Sequence, residues 1–172
     1  MKINRMKQKS NQHKTGFPPL ADTQSKLLIL GSMPGEKSLS AREYYAHPRN
    51  LFWRFIAGIT RQEIPQNYAE KKSLLSAHHI AVWDVCHACI REGSLDTAIT
   101  DEIPNQLDQL LDEHPNIKTI AFNGQKSATL FHRYFRERSG YTYLTLPSSS
   151  PAHASMPLAK KMELWMGLEQ FI

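Results

Sequence analysis

The chain has 172 residues, 41% of them hydrophobic, and a formal charge of +5; this length suits one domain with a sizeable core. No apolar run is long enough to cross a bilayer as a helix, and the polar, basic N-terminus lacks the apolar stretch of a secretory signal. Cys86 and Cys89 are the only cysteines, too few for a disulfide framework, so a reducing, cytoplasmic setting is expected.

In chain order, residues 1–22 read as a basic, disordered tail. Lys2, Arg5, Lys7, Lys9 and Lys14 precede the first acid, Asp22, and Gly16-Phe17-Pro18-Pro19 breaks any regular pattern. Beyond that point acids and bases balance, so the excess charge belongs to the tail. Such a tail is either a solvated leader or an arm that follows a polyanion. Residues 23–172 read as a single α/β domain. Segments 26–30, 80–85, 119–122 and 141–146 are short, branched or aromatic, and suit buried strands. Between them lie helical patterns. Residues 50–59 place Leu51, Phe52, Phe55, Ile56 and Ile59 on one face; 66–77 and 104–113 are further helices. In 124–138, Ala128, Phe131 and Phe135 line up, and in 157–172 so do Leu158, Met162 and Trp165. Alternating strands and helices predict a three-layer α/β/α sandwich around a short, mostly parallel four-stranded sheet. Ligands of such sheets bind beyond the carboxyl ends of the strands. The loops there are Gly31–Gly35, the region from Asp84, Asn123-Gly124 and Pro147–Pro151, and they carry the polar punctuation of the chain.

Three of these loops form an ordered set. The first is Gly31-Ser32-Met33-Pro34-Gly35, followed by His47-Pro48-Arg49-Asn50-Leu51-Phe52-Trp53. The second is Phe122-Asn123-Gly124-Gln125, and the third Leu146-Pro147-Ser148-Ser149-Ser150-Pro151. Together they resemble the motifs of the uracil-DNA glycosylase superfamily, in that family's order. The third position of the first motif, a catalytic Asn in mismatch-specific and thymine-acting relatives, is Met33 here. The His that precedes Pro-Ser in the prototypical uracil enzymes is Leu146. The hypoxanthine-acting branch is similar in lacking the usual catalytic residue, and carries an Asn in a His-Pro-Arg-Asn segment instead. It also has segments like Trp83-Asp84-Val85-Cys86 and Arg91-Glu92-Gly93-Ser94-Leu95-Asp96. The resemblance implies a monofunctional glycosylase that removes a deaminated base, hypoxanthine from deoxyinosine first and uracil from mismatches second, with DNA as partner. A non-catalytic binder of damaged DNA is the rival of another class. A monomer is expected.

The resemblance implies Asn50 as the catalytic residue. Physically, an Asn before an apolar helix also suits capping. An amide takes up no proton near neutrality, so Asn50 would orient a water or donate to the departing base. Base binding is expected from Phe52 as an aromatic floor, Tyr45 as a wall, and Gly31, Ser32 and Met33. Asn123, with donor and acceptor side by side, matches the adjacent carbonyl and N–H of hypoxanthine or uracil and mismatches adenine; as a residue before Gly124 it equally suits a turn. Ser148, Ser149, Ser150 and Pro147, with Arg49 and His47, are expected to hold DNA phosphates. Arg91 suits either a phosphate or solvent. Asp84, a carboxylate at a strand end, suits polarising a water, supporting Asn50, or a structural hydrogen bond. Cys86-His87-Ala88-Cys89 has metal-like spacing with His78-His79 nearby, and two cysteines with two histidines could in principle supply the four ligands of a zinc site, but buried thiols beside a strand account for the cysteines more simply. No metal or cofactor is expected.

Overall fold

Leu27–Gly31 (β2), Ile80–Asp84 (β3) and Thr119–Asn123 (β6) are buried at every position. Each needs cover on both faces, which explains why their sequences are continuous apolar runs rather than alternating ones. A computed structural model describing residues 12–172 shows how the cover is supplied. With Thr142–Leu146 (β7) these strands form a four-stranded sheet in the order β3-β2-β6-β7, parallel at every pairing. Glu36–Ala41 (α1), Phe52–Thr60 (α2) and Tyr68–Ala77 (α3) connect β2 to β3; Leu107–Glu113 (α4) precedes β6, and Gln125–Tyr134 (α5) joins it to β7. The first crossover runs one way along the sheet and the later ones run the other. Right-handed connections therefore put α1–α3 on one face and α4–α5 on the opposite one. Leu158–Met166 (α6) returns to pack on α2. In the core Trp165, fully buried, stacks on Phe55 (4.8 Å) and meets Phe52 edge-on (6.0 Å). No helix among the described residues is long and apolar enough to cross a membrane.

Four expected strands and five expected helices are present, with shifted ends. The helix foreseen from residue 104 starts at Leu107, because Thr100–Pro104 is a strand (β5). The one foreseen to residue 138 ends at Tyr134, with Phe135 extended. The last is followed by a tighter 3₁₀ stretch, Gly167–Phe171.

The tail needs a larger correction. Residues 1–11 lie outside the described residues, but residues 12–22 are not disordered. Lys14–Thr15 (β1) pairs antiparallel with Cys86–Ile90 (β4), which pairs in turn with β5. Leu20 and Val82 exchange backbone hydrogen bonds (2.9 and 2.8 Å), closing the free edge of β3. Phe17 packs edge-on against Tyr44 and accepts from the Trp83 indole through its carbonyl. Polar, Pro-rich composition reads as disorder, but Phe17 and Leu20 anchor the segment to the core. Lys14 is spent on Glu36 (3.0 Å), so it is not a free phosphate contact.

The strand register aligns the site. Gly31 lies opposite Asp84, and Asn123 opposite Leu146. β2 and β6 are neighbours whose outgoing connections leave toward opposite faces. Their carboxyl ends thus open a crevice, the place where such sheets take ligands.

Candidate active site

A cavity of about 400 Å³ occupies that crevice, within the range of about 300–1,000 Å³ usual for small-molecule sites. Gly31, Ser32 and Met33 line it from the loop after β2, Asp84 from β3, Asn123 and Gly124 from β6, and Ser148 to Ser150 from beyond β7. Tyr45, His47 and Asn50 enter from the segment before α2. Residues spread from 31 to 150 in the sequence are therefore brought to one rim.

The loop after β2 is held by backbone and by one buried cation. Gly31 and Ser32 carbonyls accept from Val85 and Cys86 amides at 2.9 and 3.0 Å. The Ser32 hydroxyl donates to Asp96 at 2.6 Å. Arg91 is only 4% exposed, and its guanidinium donates to the Met33 and Pro34 carbonyls. It is thus a brace for the loop, which corrects the reading as a phosphate ligand. Gly31 is obligatory for close approach: a Cβ there would lie 2.4 Å from Asp84 Oδ1 and 3.1 Å from the Tyr45 hydroxyl.

The aromatic surface is inverted relative to expectation. Phe52 is fully buried and does not reach the cavity. It begins α2 on the inward face, and Tyr45 stacks over it at 3.8 Å and 15°. Tyr45 is therefore the exposed layer and Phe52 its backing. A left-handed backbone at Tyr45 (φ 53°) turns the ring into this position. Its buried hydroxyl lies beside Asn123 without a well-aligned hydrogen bond, and burial raises its pKa.

Asn50 combines the two roles that the sequence left open. Its Oδ1 accepts the Phe52 amide at 2.9 Å, which secures the start of α2, and the residue also lines the cavity. Because Oδ1 faces an N–H, the amide orientation is set by the network. Nδ2 is the end without a partner among the described residues. Asn123 does not have such freedom. Its Nδ2 donates to Ser149 Oγ and its Oδ1 accepts from Ser149 N, both at 2.8 Å. It lines the cavity but works as a clasp on the serine loop, leaving one N–H and one lone pair for anything else.

That loop is fastened from several sides. The Ser149 carbonyl accepts from Leu51 N at 3.0 Å, tying the loop to the residue after Asn50. Lys161 of α6, 3% exposed, donates to the Ser148 and His153 carbonyls, and Trp165 donates to the Pro147 carbonyl at 2.9 Å. Gly124 (φ +98°) lets the chain pass Ser148, to whose Cβ an added Cβ would come within 3.0 Å. Ser149 is buried and Pro147 lies off the cavity wall, so neither is placed for a phosphate; Ser148 and Ser150 face the opening. His47 lines the cavity, its Nδ1 accepting from Arg49 N at 3.1 Å. Arg49 lies instead in an adjoining groove with Arg54, Lys71 and Ile64. Lys37 and Lys126 add positive charge at the cavity wall. The bracing by Lys161 and Trp165 was not foreseen: in Lys160-Lys161 nothing in the sequence separates the buried lysine from its exposed neighbour.

Asp84 gains most from the structure. It is 4% exposed and lines the cavity, and its Oδ2 has no hydrogen-bond partner among the described residues. Burial, reinforced by the Asp96 carboxylate and only partly offset by Arg91, pushes its pKa up to about 7. Among the described residues the suggested cysteines and histidines are not assembled into a zinc site. Cys86 and Cys89 are buried thiols of β4, the former raised to about 12 by burial, whereas His78 and His79 precede β3 at the other end of the sheet.

Comparison with known proteins agrees with this geometry. Residues 18–169 match the family model described as the uracil DNA glycosylase superfamily. A hypoxanthine DNA glycosylase of Methanosarcina barkeri is 41% identical over 141 residues, covering 81% of this chain and 88% of that protein. A protein of the same name from Methanosarcina acetivorans is 37% identical over an equal span with the same coverage. The solution NMR structure of a candidate uracil DNA glycosylase from Methanosarcina acetivorans superposes with a TM-score of 0.77. It is 33% identical and covers 92% of this chain and 98% of its own.

Proposed function

Because this chain belongs to the uracil DNA glycosylase superfamily and is a DNA glycosylase, we propose that it removes hypoxanthine from deoxyinosine in DNA by hydrolysis, leaving an abasic site. The observation that carries this reading is Asn50, whose amide is locked by the Phe52 N–H at the edge of the cavity while Nδ2 stays available. Flipping the nucleotide costs a few kcal/mol. Stacking on the Tyr45 ring, worth roughly 1–3 kcal/mol, offsets much of it. Asn50 Nδ2 then donates to the base as the C1′–N9 bond lengthens, or holds the attacking water. Oriented dipoles stabilise the cationic sugar and the departing base, so catalysis is electrostatic and positional. Ser148, Ser150, His47 and Arg49 hold the flanking phosphates, which fixes register without reading sequence.

The test uses duplexes with a single inosine, a single uracil or no lesion, followed by alkaline cleavage of abasic sites. Inosine-dependent nicking is expected. Asn50→Ala should lower it by at least about 10²-fold, the loss typical of one preorganised polar group. Nicking at uracil but not at inosine would replace the reading with uracil removal, and binding without nicking would remove catalysis altogether.

A further inference from the structure

One ionisable group in the cavity has no task in the reaction so far. Asp84 is more than nine-tenths buried, lines the cavity, and presents a carboxyl oxygen that no described residue satisfies. Leaving a buried polar oxygen bare costs about 1–3 kcal/mol, which a purely structural role does not explain. Nor is it held as half of an ion pair. Arg91, the cation facing it from beyond β4, is committed to the Met33 and Pro34 carbonyls. The other titratable groups around it are Asp96 from the turn after Leu95, Tyr44 and Tyr45 from the segment before α2, and Cys86 from β4. Of these the Asp96 carboxylate acts most strongly on Asp84, and it favours the protonated form. Gly31 supplies the room for the carboxyl beside the Tyr45 hydroxyl.

Resting on the reading of hypoxanthine as the substrate, we propose that Asp84 is a second catalytic residue, a carboxylic acid that delivers its proton to N7 of the departing purine. As the C1′–N9 bond breaks, its electron pair goes to the base. The Asp84 proton neutralises that charge at N7, and hypoxanthine leaves uncharged. Water adds to C1′ of the sugar cation and loses a proton, which restores the Asp84 carboxylic acid. Asn50 cannot perform this transfer, since an amide has no proton to give near neutrality. Uracil offers no free ring-nitrogen lone pair, so the device favours a purine.

The decisive experiment compares kcat/KM for wild type and Asp84→Asn between pH 5.5 and 9, on duplexes carrying deoxyinosine or 7-deaza-deoxyinosine. Wild type should lose activity toward alkaline pH, approaching tenfold per pH unit above about 7, where Asp84 ionises. Asp84→Asn should be slower on deoxyinosine by about 10²-fold or more and lack that alkaline limb. On the 7-deaza substrate, both proteins should be equally slow. A wild-type profile flat across this range overturns the proposal, and needs no variant to fold. So does an Asp84→Asn protein within threefold of wild type, or one that loses as much on the 7-deaza substrate as on deoxyinosine. Failure of wild type to excise hypoxanthine at all would instead overturn the substrate assignment, and this role with it.

Discussion

Replacing Asp84 by Asn tests the state of that carboxyl without any substrate. In the native protein its pKa stands at about 7 against an ordinary 3.8, so the folded chain binds this proton more tightly than the unfolded one. Stability must then fall as pH rises through the interval between the two values, and level off above about 7. That interval corresponds to at most about 4 kcal/mol, at 1.36 kcal/mol for each pH unit. Asparagine keeps the shape and carries no charge to desolvate. The difference in unfolding free energy between Asp84→Asn and wild type should therefore climb toward the variant by a few kcal/mol from pH 4 to pH 8. Urea unfolding followed by tryptophan fluorescence measures it, with Trp165 and Trp53 reporting from the core. A difference constant with pH, or one that moves toward wild type, would show that the carboxylate is solvated or paired in the folded state.

Three further substitutions probe how the cavity is built. Gly31→Ala drives a methyl against Asp84 and Tyr45, and should cost about 1–3 kcal/mol in thermal unfolding while lowering excision. Asn123→Ala unfastens Ser149 and leaves its amide bare, which should cost about 1–3 kcal/mol and weaken lesion-DNA binding in a gel-shift titration; unchanged binding would show that the loop holds its shape unaided. Lys161→Met removes the donors to the Ser148 and His153 carbonyls and should raise exchange rates of loop amides, with α6 otherwise protected, in hydrogen-exchange measurements.

The central sheet was legible because burial on both faces forces unbroken apolar runs, as in Leu27–Gly31. The second, three-stranded sheet was not. Cys86–Ile90 carries a half-metal-like signature and a bulged register, and Thr100–Pro104 is polar and ends in proline. Their pairing joins positions whose partners no local pattern announces. The site followed the same division. That the loops after the strands would converge was readable from alternation of strands and helices. Which layer each side chain occupies was not: Tyr45 above Phe52, and Asn123 turned to Ser149, depend on depth and on a partner 26 residues away. Asp84 was visible as a strand-end carboxylate, but its solitude is a property of the surroundings alone.

The short segment from Lys14 to Leu20 does more than extend the fold. Without it, the Val82 amide and carbonyl would stand bare on an outer strand, Ile80–Asp84, that is apolar up to its last residue. Such an edge is a template for adding a strand from another molecule. A shortened chain that began at residue 22 would thus trade solubility for stickiness, and its sheet would be prone to grow from the side that carries Asp84.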